Sequence, residues 1–161
     1  MASLRSPIPG PNWKLGCRGK RAVTSNDSWS LKEYRQPSSP ERSYFRKNLS
    51  PSIPPGSASH PFVCYLTFGY RPKDSSGLPA AGVEDAFVRI EETEIPLLEE
   101  QELSVLVGVV IKGGVKDFIF YASDAEVFLA RAAQIRAAHP EFRLGCEVGP
   151  DPTWSHYAEL P

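Results

Sequence analysis

Leu103-Ser104-Val105-Leu106-Val107-Gly108-Val109-Val110-Ile111-Lys112-Gly113-Gly114-Val115-Lys116-Asp117-Phe118-Ile119-Phe120-Tyr121 decides the fold. Two runs rich in β-branched and aromatic residues flank a Gly-Gly pair, which supplies the positive φ that a tight hairpin turn requires. A phosphate loop would lead from a strand into a helix, whereas this glycine pair leads into another strand. Downstream, Ser123 and Glu126 have capping-box spacing, Asp124 puts negative charge at a helix start, and Phe128, Ala132 and Ile135 recur at helical spacing. His139-Pro140 ends that helix, because the residue before proline is pushed out of the helical region. Phe142 to Val148 then alternates as a further strand.

Upstream, His60 to Tyr70 reads as a strand with Phe62, Cys64, Leu66 and Phe68 on one face and Val63, Tyr65 and Thr67 on the other. Arg71 to Ala81 is a loop by its glycine, prolines and serines. Val83, Phe87 and Ile90, followed by Leu97 and Leu98, predict a helix that Pro96 breaks or kinks. The order strand, helix, strand, strand, helix, strand predicts an α+β ferredoxin-like domain: an antiparallel sheet with both helices on one face and the other face open.

The chain is polarised in charge. Residues 1 to 60 hold ten basic and three acidic side chains, a net +7, with eight prolines and twelve serines; residues 61 to 161 hold eight basic and sixteen acidic, a net −8. The Pro/Ser-rich part predicts a flexible basic arm over 1 to 60, since it offers little apolar surface to offset the entropy of ordering. The domain is then expected over 61 to 161, an ordinary size for one core. Three cysteines, at 17, 64 and 146, lack metal-ligand spacing, so no metal or other cofactor is expected. Their odd number without a secretory signal predicts a reducing, cytoplasmic setting, and no stretch has the roughly 20 apolar residues of a membrane span. Cys64 and Cys146 each fall on the apolar face of neighbouring strands and are expected to be two separately packed core thiols.

Ser76-Gly77-Leu78-Pro79, Ile90-Glu91-Glu92, Val107-Gly108-Val109-Val110, Lys116 to Ala122 and Asp151-Pro152-Thr153-Trp154-Ser155-His156-Tyr157, in that order, carry a resemblance. From about residue 61 to the end, the chain resembles the bacterial family catalogued as domain of unknown function 695. Asn12 to Val23 is similar to the Trp-led opening of that family, with proline and serine following where its strands would stand. The resemblance implies a ferredoxin-like domain and no established activity.

Asp117, Asp151, Trp154, His156 and Tyr157 combine carboxylates, an imidazole and aromatic groups near strand ends, the raw material of a proton-transfer site. The plainer reading makes Asp117 a solvated strand residue, His156 an exposed tail residue, and Trp154 and Tyr157 a staple holding the C-terminus against the sheet; no catalytic residue is assigned. Glu91, Glu92 and Glu99 belong to an acidic helix with Arg89 as its basic residue, which suggests a protein partner with a basic surface and argues against nucleic acid on the domain. Nucleic acid contact falls instead to the arm, where Arg18, Lys20, Arg21, Arg42, Arg46 and Lys47 are interleaved with Trp29, Tyr34, Tyr44 and Phe45. The expected function is a non-enzymatic interaction or regulatory module. The alternative is a small-molecule site or hydrolase on the open sheet face at Val63, Tyr65 and Thr67.

Overall fold

A computed structural model describes residues 28–161. Its strands and helices are β1 (Trp29–Arg35), β2 (Arg42–Asn48), β3 (Phe62–Gly69), α1 (Ala81–Thr93), α2 (Ile95–Glu99), β4 (Ser104–Lys112), β5 (Val115–Ala122), α3 (Ala125–Ala138), β6 (Arg143–Pro150) and α4 (Ser155–Glu159). One antiparallel sheet has the order β1-β2-β4-β5-β3-β6. No helix among the described residues is long and apolar enough to cross a membrane.

Six strands replace the four expected, and the two additions lie where a flexible arm was expected. β1 and β2 form a hairpin across Gln36 to Glu41, and β2 pairs with β4 through Tyr44 opposite Ile111 and Arg46 opposite Val109. Trp29–Arg35 and Arg42–Asn48 therefore belong to the sheet, while residues 1–27 of the arm expected over 1–60 lie outside the described residues. Arg18, Lys20 and Arg21 lie there too. Of the rest of the suggested nucleic-acid set, Arg46 lies over the Trp29 ring, Lys47 Nζ donates to the Leu160 carbonyl at 2.8 Å, and Tyr34 meets Phe45 edge-on.

Local signals placed the other elements. The β4–β5 turn has Gly113 at φ +58° and Gly114 at φ +81°, the two consecutive positive values of a primed hairpin turn. A Cβ on Gly114 would lie 3.0 Å from the Tyr70 carbonyl oxygen, so the turn also docks the end of β3. Pro96 stands in the first turn of α2, where its missing N–H costs nothing, and the helical run divides there. The cap of α3 is one residue later than expected: Asp124 accepts from Val127 N at 3.0 Å, while the Ser123 hydroxyl donates to the Leu103 carbonyl. The last strand likewise starts at Arg143 and runs on to Pro150.

Each face of the sheet has its own core. On one side Cys64, Leu66, Phe68, Leu106, Phe118 and Phe120 pack against Phe87, Ile90, Ile95, Leu98, Phe128 and Ile135 of α1, α2 and α3. Cys64 and Cys146 both lie on β-strands paired to one another and are free thiols. The other side, expected to be open, is covered. Val63, Val105, Val107, Ile119 and Tyr121 pack against Trp154, with Ile53, Tyr157 and Leu160 beside them. A bulge in β4 between Leu106 and Gly108 leaves Val107 as an extra buried residue. Gly108 then admits the C-terminal segment, since a Cβ there would sit 2.8 Å from Leu160 Cδ1.

Candidate functional site

The structure divides the carboxylate, imidazole and aromatic set read from the sequence. Asp151 follows β6 and is paired by backbone to Pro61, whereas Asp117 lies opposite Thr67. Those points are six strand residues apart, about 20 Å. Asp151 accepts from the Tyr121 hydroxyl at 2.5 Å, Ser155 N at 2.9 Å, Ser155 Oγ at 2.8 Å and His156 N at 3.0 Å. Burial pushes its carboxyl up, but the donors from Tyr121, His156 and Ser155 together outweigh this and hold it far below the carboxylate range. A carboxylate so fully occupied anchors α4.

Trp154 shares that role. Its ring stacks on Tyr121 at 3.9 Å and its Nε1 donates to the His60 carbonyl at 2.9 Å. Its backbone has φ +57°, a conformation a bulky residue adopts only when its surroundings impose it. Tyr157 donates through its hydroxyl to the Asn48 carbonyl at 2.8 Å. Trp154 and Tyr157 thus staple the C-terminus across the sheet to the end of β2. His156 is exposed and its Nδ1 meets the Tyr65 hydroxyl at 2.9 Å, while Asp117 accepts from Thr67 Oγ1 at 2.6 Å. Burial, and after it Glu147, raise the Asp117 carboxyl despite the Thr67 bond.

The acidic trio is divided as well. Glu92 is exposed, but Glu99 Oε1 accepts from Leu106 N at 2.9 Å and so helps fasten α2 to β4. Glu91 turns inward. Its Oε1 accepts from Lys116 Nζ and its Oε2 from an Arg46 guanidinium nitrogen at 2.9 Å, so one carboxylate from α1 joins a cation from β5 to one from β2. Lys116 is only 5% exposed, and its ammonium lies 4.7 Å from the centre of the Phe87 ring and 5.0 Å from that of Phe118.

The two partners respond differently to burial. Desolvation pushes Glu91 up, but Lys116 and Arg46 together hold it below its ordinary range. Desolvation lowers Lys116 more than Glu91 and, to a smaller extent, Glu84 restore, with Arg46 adding repulsion. The carboxylate is therefore the firmly ionised member, because two cations serve it.

This triad lies at a cavity of about 320 Å³ on the helix side of the sheet. The added hairpin explains the cavity, since it widens the sheet past the surface that α1 covers. Tyr44 and Arg46 of β2, Val109 and Ile111 of β4 and Lys116 of β5 share one face by register and form the floor. Phe87, Val88 and Glu91 of α1 form one wall, and Leu78 with Pro79 of the preceding loop another. That loop is fixed by Arg42 N donating to the Ser76 carbonyl at 2.9 Å and by the Tyr70 hydroxyl donating to the Gly77 carbonyl at 2.8 Å. Burial, then Glu33, raise the Tyr44 phenol.

Sequence reading missed this site. Lys116 was visible as a charge on an apolar strand and Arg46 as part of a basic cluster, but their convergence on Glu91 crosses three elements separated by up to 70 residues. Among the described residues no group of three or more His, Cys, Asp or Glu side chains is arranged to hold a metal ion.

No curated protein and no solved structure matches the chain. A family of unknown function, DUF695, matches residues 32–160, starting within β1 rather than at residue 61 and so taking in the hairpin. With most of the sequence covered, including every strand and helix that builds the cavity, the chain belongs to that family.

Proposed function

We propose that the protein is a non-enzymatic small-molecule-binding domain whose ligand enters the cavity between α1, β2 and β4. The observation that carries this is a preformed hollow of about 320 Å³ with Phe87 and Val109 almost fully buried at its base and Tyr44 and Val88 partly exposed beside them. Ligand pockets are typically roughly 300–1,000 Å³, largely apolar and provided with a few fixed polar groups, so this one suits a small metabolite. The Glu91–Lys116–Arg46 triad makes a rigid polar base, with side chains locked before any ligand arrives. For the fold we infer a ferredoxin-like unit over β3 to β6 with the β1–β2 hairpin added at the β4 edge. The order β4-β5-β3-β6, with one helical segment between β3 and β4 and another between β5 and β6, supports that reading.

The test uses N-phenyl-1-naphthylamine, a neutral probe that brightens in apolar surroundings. Saturable, one-to-one binding to the full-length chain, abolished by the cavity-filling substitution Val88→Trp with the fold intact by circular dichroism, is expected. No saturable binding, or binding indifferent to Val88→Trp, refutes the proposal. Exposed Asp85, Glu92, Glu100 and Glu102 support a second reading, a partner with a basic surface, on the outer side of the helical layer. Such binding weakens steeply with salt, and salt-insensitive capture by an immobilised polylysine surface would exclude it.

A further inference from the structure

We infer that the ligand of this cavity is an organic acid, with an apolar body inside and a carboxylate held at the mouth by Arg42 and Lys73; the inference rests on the binding role proposed above. The cavity is lined by four cationic side chains and two carboxylates, a net charge of +2. The placement of those charges decides the sign of the ligand. Glu91 has each oxygen committed to a cation, so it offers nothing to a cationic guest. Glu84, the other carboxylate, is exposed at the start of α1. An amine entering the cavity would thus meet Lys116 and Arg46 at its inner end, with Glu84, exposed at the start of α1, as the one carboxylate left to receive it, an arrangement that disfavours it.

An anion meets the opposite situation. Lys73 is exposed and Arg42 partly so, both at the outer end of the lining, while Phe87 and Val109 lie at the inner end. Arg42 is on a strand and its backbone is tied to the Ser76 carbonyl, so the guanidinium is presented from a fixed base next to the loop that carries Lys73. A planar guanidinium matches a carboxylate in two-point geometry. The volume, near the lower limit for ligand pockets, suits a medium-chain or aromatic acid and excludes a dinucleotide.

Displacement of bound N-phenyl-1-naphthylamine from the full-length protein by octanoate, octanol and octylamine tests this, since the three share one apolar chain and differ in head group. Octanoate is expected to displace the probe at about tenfold lower concentration than octanol, the effect of one charge-assisted hydrogen bond, with octylamine weakest. Arg42→Ala with Lys73→Ala should bring octanoate to the level of octanol, both measured as displacement of the probe from the same variant. Equal potency of octanoate and octanol, or a preference that survives the double substitution, overturns the acid assignment and leaves the binding role standing. Failure of the probe to bind at all removes both. Arg42→Lys with Lys73→Arg, which retains both charges, should keep octanoate ahead of octanol even where the two-point geometry is weakened; complete loss of the preference there overturns the assignment to these two cations.

Discussion

Glu91→Gln is the most informative perturbation of this molecule. Glu91 is the shared anion of Lys116 and Arg46, whose side chains are 6% and 16% exposed. Removing its charge leaves an ammonium enclosed by Phe87 and Phe118 with a guanidinium as neighbour. Breaking a buried pair from one side typically costs about 3–5 kcal/mol, because the remaining charge has no counterion. Lys116→Met differs: Glu91 keeps Arg46, and the methionine fills the space of the lysine stem, so a loss within about 1 kcal/mol is expected. The double variant should recover at least half of the Glu91→Gln loss, as coupled sites do. Urea unfolding at pH 7, followed by fluorescence and circular dichroism, measures all three. Equal losses in the two single variants, or a Glu91→Gln loss below about 1 kcal/mol, would refute the shared-anion account.

The pH dependence follows with a definite sign. The folded carboxyl of Glu91 titrates below its ordinary value of 4.5, so its stabilisation is complete above that value and is lost as pH falls through the folded one. Glu91→Gln should therefore flatten the acid limb. Lys116 also titrates lower when folded, below 10.5, so the unfolded chain binds its proton longer and stability rises with pH as 10.5 is approached. Lys116→Met should abolish that alkaline rise.

Phe128 is fully buried with the Phe120 ring at 5.3 Å, so Phe128→Ala should cost about 3–5 kcal/mol in urea unfolding; a loss below about 1 kcal/mol would mean that α3 does not pack through this face. At the β4–β5 turn, Gly114→Ala meets both a positive φ and the Tyr70 carbonyl and should cost about 2 kcal/mol or more. Gly113→Asn should be nearly neutral, because asparagine tolerates the left-handed region, and equal melting temperatures for the two variants would contradict the docking of Tyr70. Burial, and then Glu147, push the Cys146 thiol up to about 11, and burial followed by Cys146 raises Cys64 further. In a Cys17→Ser chain at pH 8 both thiols should resist iodoacetamide until urea is added, and Cys146 should become reactive only as pH nears 11. Rapid alkylation of the folded chain at pH 8 would show that β6 frays.

Where a signal is local, sequence and structure agree. The Gly113-Gly114 turn, the break at Pro96, the stripe Phe128-Ala132-Ile135 and the alternation of Phe62 to Phe68 each depend on residues within one or two turns of each other. The β1–β2 hairpin escaped because most of its residues are only half-buried and its flanks are rich in proline and serine. Its signal, two seven-residue runs carrying Trp29, Leu31 and Tyr34 and then Tyr44 and Phe45, separated by Gln36-Pro37-Ser38-Ser39-Pro40-Glu41, is present but reads equally as stacking residues on a flexible arm.

By itself, the sequence determined a mixed α and β chain, the presence of β3, β4, β5, β6, α1 and α3, and the sides of β3 and α3 that face one another across the core. These follow from backbone chemistry and from the 2.0 and 3.6 residue periods, which one segment expresses alone. Tertiary structure decided the rest. Pairing of β2 with β4 bridges more than 60 positions of sequence, and that pairing puts Arg46 beside Lys116 and turns Glu91 from a solvated charge into a partly buried counterion. A charge on a helix is legible as a charge, but whether it faces water or two cations depends on which distant strand lies beneath it. The cavity arises for the same reason: the sheet has more width than its helices cover, a relation between elements that no single element encodes.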